Sequence, residues 1–238
     1  MKHVGAISGG KDSVCMATLL KEIHPEIDFI WICTPTGNEP PAWWAHMRRL
    51  RDIIGPITPI MFPGGLDALI KKYNALPNWR QRWCTRVLKI EPFAAWLMQN
   101  APARFYVGLR ADEEEREGGD YKSVPNVEMV FPLREHGLDL DRVLKHNAER
   151  NIVIPRRTDC RLCFFQRLIE WWELWKYDPE GYAEGERYEE ITGHTFRSPG
   201  RDTWPAALKD LRREFESGRV PRDTRDPISN MQCRVCRQ

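Results

Sequence analysis

Short apolar runs separated by longer stretches of helical period recur through the first 131 residues. The runs at 3–7, 27–33, 57–62, 104–109 and 127–131 read as strands buried on both faces. Residues 14–20 are long enough and apolar enough for a helix, and Pro41 is placed to open another through Trp43, Trp44, Met47, Leu50 and Ile54. From Asp139 to Arg150, Leu140, Val143, Leu144 and Ala148 share a helix face. Strands alternating with helices predict an α/β fold: a doubly wound, mostly parallel five-stranded sheet that binds ligands beyond the C-terminal ends of its strands. Residues 74–83 have no clean period and several turn formers, so an irregular loop over that edge is expected.

From residue 154 the pattern changes. Leu168, Trp171, Trp172, Trp175 and Tyr182 mark an aromatic helix and its exit, Asp178-Pro179 ends it, and Trp204-Pro205 leads a further helix to Phe215. The expected division is a nucleotide-binding unit over 1–153 and a helical, cysteine-bearing C-terminal extension over 154–238. The aromatic stripe is read as packing that extension on the sheet; base stacking stays open for an exposed Trp.

Composition narrows the class. With 42% hydrophobic and 29% charged residues the chain reads as soluble and globular. No apolar run reaches the roughly 20 residues of a membrane span, and no signal-peptide core is present, so a cytoplasmic location without a membrane partner is expected. The net charge of +2 demands no polyanion, but residues 196–238 hold ten Lys/Arg against six Asp/Glu, which is either a solvated basic tail or a nucleic-acid contact. Seven cysteines in such a chain point to metal ligation or redox chemistry.

The first strand runs into Ser8-Gly9-Gly10-Lys11-Asp12-Ser13 and then a helix. Glycines let the backbone approach a ligand, the helix start offers free N–H groups and a favourable dipole, and Lys11, Ser8 and Ser13 add charge and hydroxyls. The loop therefore suits phosphate, although it lacks the Walker A spacing. The hexapeptide resembles the PP-loop of the ATP pyrophosphatase superfamily, the adenine nucleotide α-hydrolases. That resemblance implies that residues 8–13 hold the β,γ-pyrophosphate of ATP while the α-phosphate is attacked.

Further segments resemble the phosphoadenylylsulfate (PAPS) reductase branch, also called CysH-like. Thr36-Gly37-Asn38-Glu39 is similar to its T-G-x-E element, in which Glu39 would help hold Mg²⁺ or orient substrate. Trp83-Cys84-Thr85-Arg86-Val87-Leu88-Lys89 with Pro92 resembles W-C-T-x-x-L-K-x-x-P; Arg86 and Lys89, three apart on a helix, would share a face and grip a phosphate or sulfate together. Gly108-Leu109-Arg110 through Glu113 looks like G-x-R-x-x-E, with Arg110 reaching a phosphate and Asp112 or Glu113 contacting Mg²⁺. Pro132-Leu133 resembles Y-P-L, but Arg134-Glu135-His136-Gly137 stands where the family places a tryptophan.

Cys84, at a helix start beside Arg86, is read as a stabilised thiolate: nucleophile, sulfur carrier or cluster ligand. Cys15 and Cys33 lie in apolar runs and belong to the core. Cys160-Arg161-Leu162-Cys163 and Cys233-Arg234-Val235-Cys236 form paired C-x-x-C motifs, suited to a four-thiolate site for Zn²⁺ or an iron–sulfur cluster. Cys160 and Cys163 also resemble the family's C-x-x-C-P-F segment, with Phe164 in place of proline. In adenylylsulfate reductases such a pair joins two adjacent cysteines around a [4Fe-4S] cluster; here Trp83 stands beside Cys84, so Cys233 or Cys236 would have to complete the set.

The reaction expected first is ATP-dependent adenylation with pyrophosphate release, followed by sulfur transfer to a nucleic acid or small molecule. Lys11 and Arg110 would neutralise phosphate charge and Asp12 with Glu39 would assist Mg²⁺. Proteins of this kind occur in DNA phosphorothioation, tRNA thiolation, phages and beside some CRISPR loci. The alternatives are a sulfonucleotide reductase and a non-catalytic nucleotide-binding subunit. Expected partners are ATP or a related nucleotide, a sulfur donor, a nucleic acid and a second copy of the chain.

Overall fold

The computed structural model describes residues 1–118, 121 and 123–223. Five strands, β1 (Lys2–Ala6), β2 (Phe29–Cys33), β3 (Ile57–Pro59), β4 (Ala103–Tyr106) and β5 (Val127–Val130), form one sheet in the order β3-β2-β1-β4-β5. Every pair is parallel. The chain steps outward from β1 to β3 and then returns to β1's other side, so the order reverses between β1 and β4. A crevice at the carboxyl ends of these two strands follows from that reversal.

The helices are α1 (Lys11–Ile23), α2 (Pro41–Ile54), α3 (Gly65–Tyr73), α4 (Trp83–Thr85), α5 (Glu91–Asn100), α6 (Pro132–Glu135), α7 (Leu140–Glu149), α8 (Leu168–Tyr177), α9 (Pro179–Thr192) and α10 (Leu208–Glu216). A π-helical turn, Arg86–Ile90, joins α4 to α5. Four strands end before their apolar runs do, yet the Ile60 and Val107 N–H groups still donate to the carbonyls of Cys33 and Val130 beyond the ladders. Asp139 caps α7 by accepting from the Arg142 N–H. Three helices, α3, the short α6 and α9, have no counterpart among the expected elements. α3 carries Leu66, Leu69, Ile70 and Tyr73 at helical spacing, a short signal left out of the expected elements, whereas α9 is mostly polar with two internal glycines and shows no strong apolar period.

The apolar side chains divide into three cores. One, with Val14, Met16, Leu20, Trp31 and Leu50, joins α1 and α2 to the sheet; another, with Val4, Phe93, Leu97 and Phe105, lies under α5. The third gathers Leu66, Leu69, Ile70, Trp83 and Leu88 with Leu162, Trp171, Tyr182, Leu208 and Phe215. Residues from both sides of position 154 thus share one interior. Trp171 and Tyr182 are fully buried, and the Tyr182 hydroxyl donates to the Leu208 carbonyl at 2.8 Å, so both serve packing. Burying side chains of this size contributes on the order of 1.5–3 kcal/mol each. No helix among the described residues is long and apolar enough to cross a membrane.

Candidate functional site

β1 ends at Ala6, and residues 7–10 turn the chain into α1. Gly9 has φ +78°, and a Cβ there would come within 2.8 Å of the Trp43 indole nitrogen. Only glycine satisfies both constraints. Ser8 and Ser13 brace the turn from within: their hydroxyls lie 3.1 Å apart, the Gly10 N–H donates to Ser8 Oγ, and Ser13 Oγ donates to the Gly10 carbonyl. Outside it, Trp43 Nε1 donates to the Ser8 carbonyl at 2.8 Å, and His46 hydrogen-bonds the Gly9 backbone. Burial of His46 lowers its pKa to about 4, which keeps the ring neutral under the loop.

Those contacts leave the N–H groups of Lys11, Asp12 and Ser13 over. α1 has no side-chain cap, and its first three residues are buried. First-turn N–H groups have no intrahelical acceptor, so a buried, uncapped helix start calls for an anionic partner. Gly108, after β4, closes the other wall; a Cβ there would lie 3.0 Å from the Asp12 carbonyl.

The loop borders a cavity of about 230 Å³ at the β1–β4 crevice. Its walls include Ser8, Gly10, Asp12 and Ser13, the apolar groups Ile32, Phe93, Leu109 and Tyr121, and the cations Lys89 and Arg116. The Lys11 and Arg110 side chains are not among the lining groups. Lys11 is fully buried with its ammonium 2.7 Å from Asp12. Arg110 donates to Asp112 through Nε and Nη2 at 2.8 and 3.1 Å and reaches Asp12 at 3.3 Å. Burial opposes the Arg110 charge, but these carboxylates hold its pKa above the ordinary value. Both expected phosphate ligands therefore stand behind Asp12, and the expected Mg²⁺ contacts Asp12, Asp112 and Glu113 are paired with cations. Glu39 is likewise engaged, accepting from the N–H and hydroxyl of Thr36 and the N–H of Gly37. Among the described residues no three His, Cys, Asp or Glu side chains are grouped to hold one metal ion. The carboxylates thus fit a charge-balancing role better than a preformed Mg²⁺ site.

The Thr36–Glu39 loop does something its motif does not announce. The Asn38 carbonyl accepts from the Arg161 N–H, Asn38 Oδ1 accepts from the Leu162 N–H, and Thr36 Oγ1 lies 3.1 Å from Cys160 Sγ. The loop therefore fastens the cysteine turn to the sheet edge. Cys84, Cys160 and Cys163 line one small hollow between them, with Lys89 at its wall. Burial pushes the Cys160 thiol up to about 11 and raises Cys163 as well. The thiolate expected at Cys84 is not favoured either: burial raises its pKa, against a weaker pull from Lys89. Cys15 and Cys33 are core thiols, both pushed up to about 12 by burial. Cys233 and Cys236 lie outside the described residues.

Arg86 and Lys89 do not share a face. They sit in the π-helical turn, whose wider winding separates positions three apart further than an α-helix does. Lys89 lines the main cavity, whereas Arg86 is largely exposed and pairs with Glu91 at 3.2 Å. Arg116, by contrast, escaped the sequence reading because it ends a run of acids that looks solvated; it lines the cavity and pairs with Glu113 at 2.6 Å.

No protein-family model matches the chain, and no curated protein matches it. Solved structures do. The phosphoadenylyl-sulfate (PAPS) reductase of Candida auris, in a phosphate complex, aligns at TM-score 0.51 and 14% identity over 65% of this chain and 75% of its own. The U34-tRNA thiolase NcsA of Methanococcus maripaludis, solved with its [4Fe-4S] cluster, aligns at TM-score 0.52 and 18% identity over 87% of this chain and 77% of its own. The parallel sheet and these likenesses together show a PAPS-reductase-like fold.

Proposed function

We propose that the chain is an ATP pyrophosphatase that adenylates an acceptor in the course of sulfur transfer. One observation carries this reading: the buried, uncapped start of α1 faces a cavity whose remaining walls suit a purine nucleotide. The N–H groups of residues 11–13 and the hydroxyls of Ser8 and Ser13 would hold the β- and γ-phosphates. An acceptor oxygen then bonds to the α-phosphorus as the bond to the bridging oxygen breaks, and pyrophosphate leaves with the electron pair. Lys89 and Arg116 at the cavity wall, backed by Lys11 and Arg110, stabilise the developing charge. In a second step a hydrosulfide forms a carbon–sulfur bond at the activated carbon as the carbon–oxygen bond to AMP breaks, and AMP leaves with the electron pair.

Cys84, Cys160 and Cys163 would hold an iron–sulfur cluster, which supplies thiophilic iron when bound. Three thiols spread around a hollow fit a cluster, whose ligands bind separate irons, better than one Zn²⁺ ion, whose ligands must converge. The PAPS reductase likeness supports a second reading, a sulfonucleotide reductase, with Cys160 at the cavity wall.

ATP affinity and pyrophosphate release, measured on the full chain and on Lys89→Met, test the proposal. The wild type should bind ATP and release pyrophosphate, and the variant should lose about 100-fold or more in rate. Absence of ATP affinity overturns it. Thiol-dependent sulfite release from PAPS selects the second reading, and ATP binding without turnover leaves only a nucleotide-binding subunit.

A further inference from the structure

We propose that the groove across residues 73–86 is the track for a single-stranded nucleic acid, which makes a polynucleotide the acceptor; this rests on the adenylation reading above. Two hollows outside the nucleotide cavity form the groove. One, of about 650 Å³, shares Thr85 and Ile90 with the cavity wall and is lined by Tyr73, Arg80, Arg82 and Arg86. The other, of about 880 Å³, shares Ala75, Arg80 and Gln81 with the first and continues past Trp79 to His194 and Arg197. The three spaces are therefore neighbours, sharing walls from Ala75 to Ile90, with Thr85 between the groove and the nucleotide cavity.

The lining chemistry is one-sided. Arg80 borders both hollows and Arg82 and Arg86 the first, and neither has an Asp or Glu in its wall; Arg197, at the far end of the second, is buried and already paired with Asp202 at 2.8 Å. Arg86 pairs directly with Glu91 at 3.2 Å, but both side chains are exposed, so a phosphate can replace that pairing at little cost. Between the cations stands Trp79, 60% exposed, with the Arg80 guanidinium 4.7 Å from its ring centroid. Its position is fixed in advance: Asn78 Oδ1 accepts from the N–H groups of both Arg80 and Gln81 at 2.9 Å, which holds the tip in a tight turn. An exposed indole on a rigid turn, flanked by guanidinium groups along a groove, offers stacking to an unpaired base and charge to its phosphates. A duplex hides its base faces, and an acidic peptide has no use for the indole.

The test is fluorescence anisotropy with labelled oligo-U and oligo-dT of about 15 nucleotides, using the full chain without ATP across a salt series. Trp79→Ala should weaken binding by about 5- to 150-fold and Trp79→Phe should restore most of it. Arg80→Ala and Arg86→Ala should each lower the salt slope by about 0.7. ATP affinity, measured on the same variants, should not change at Trp79→Ala. No oligonucleotide binding at low salt, binding indifferent to Trp79→Ala, or equal competition by polyglutamate each overturns the track while leaving the adenylation reading intact. Oligonucleotide binding without ATP affinity would sink that reading instead.

Discussion

The turn after β1 and the turn that carries Cys160 and Cys163 flank the same cavity but are built on opposite plans. In the first, the groups offered to a ligand are backbone N–H donors, held by Ser8, Ser13, Trp43 and His46. Such donors do not titrate. In the second, the reactive groups are thiols whose burial favours the neutral form, so they become ligands or nucleophiles only when something draws off the proton. One turn is ready before its ligand arrives, and the other is completed by it.

The comparison is most sharply broken at Gly9. Gly9→Ala places a side chain at positive φ and against the Trp43 indole, and ATP affinity measured by calorimetry should fall by about 100-fold, while the thiol site is untouched. The complementary change, Cys160→Ser, should abolish any absorption near about 400 nm in protein purified without oxygen, the region of thiolate-to-iron transitions, and should leave ATP affinity within about twofold. Loss of ATP binding in that variant would show that the two turns are not separable. The smallest effect is expected from acid. His46 has a lowered folded pKa, so its contribution to stability is present above its unfolded value of 6.5 and is lost as pH falls toward about 4. Melting temperature should decline over that window, by about 2–4 °C for each kcal/mol, and His46→Asn should flatten that part of the curve.

The same contrast explains what the sequence disclosed. The sheet and the loop of residues 8–13 were legible because strand period, glycine and helix start are local signals. The partners of Asn38 and Thr36 were not, since Leu162 and Cys160 lie 124 residues away. Arg86 and Lys89 were placed together by an α-helical spacing that a π-helical turn does not keep. Lys11 and Arg110 carry the expected charge, but their burial behind Asp12 depends on how α1 meets the end of β4, which no local pattern encodes.

The interior shared by α3, the segment from Trp83 to Leu88 and the helices after position 154 has a practical consequence for dissecting the molecule. A fragment ending at residue 153 would bare Leu66, Leu69, Ile70 and Leu88 to water and strip the cover from one wall of the thiol hollow. Truncation would therefore yield a sticky, poorly cooperative remnant in place of a minimal enzyme, and any chimera that borrows the sheet has to import the matching helices with it.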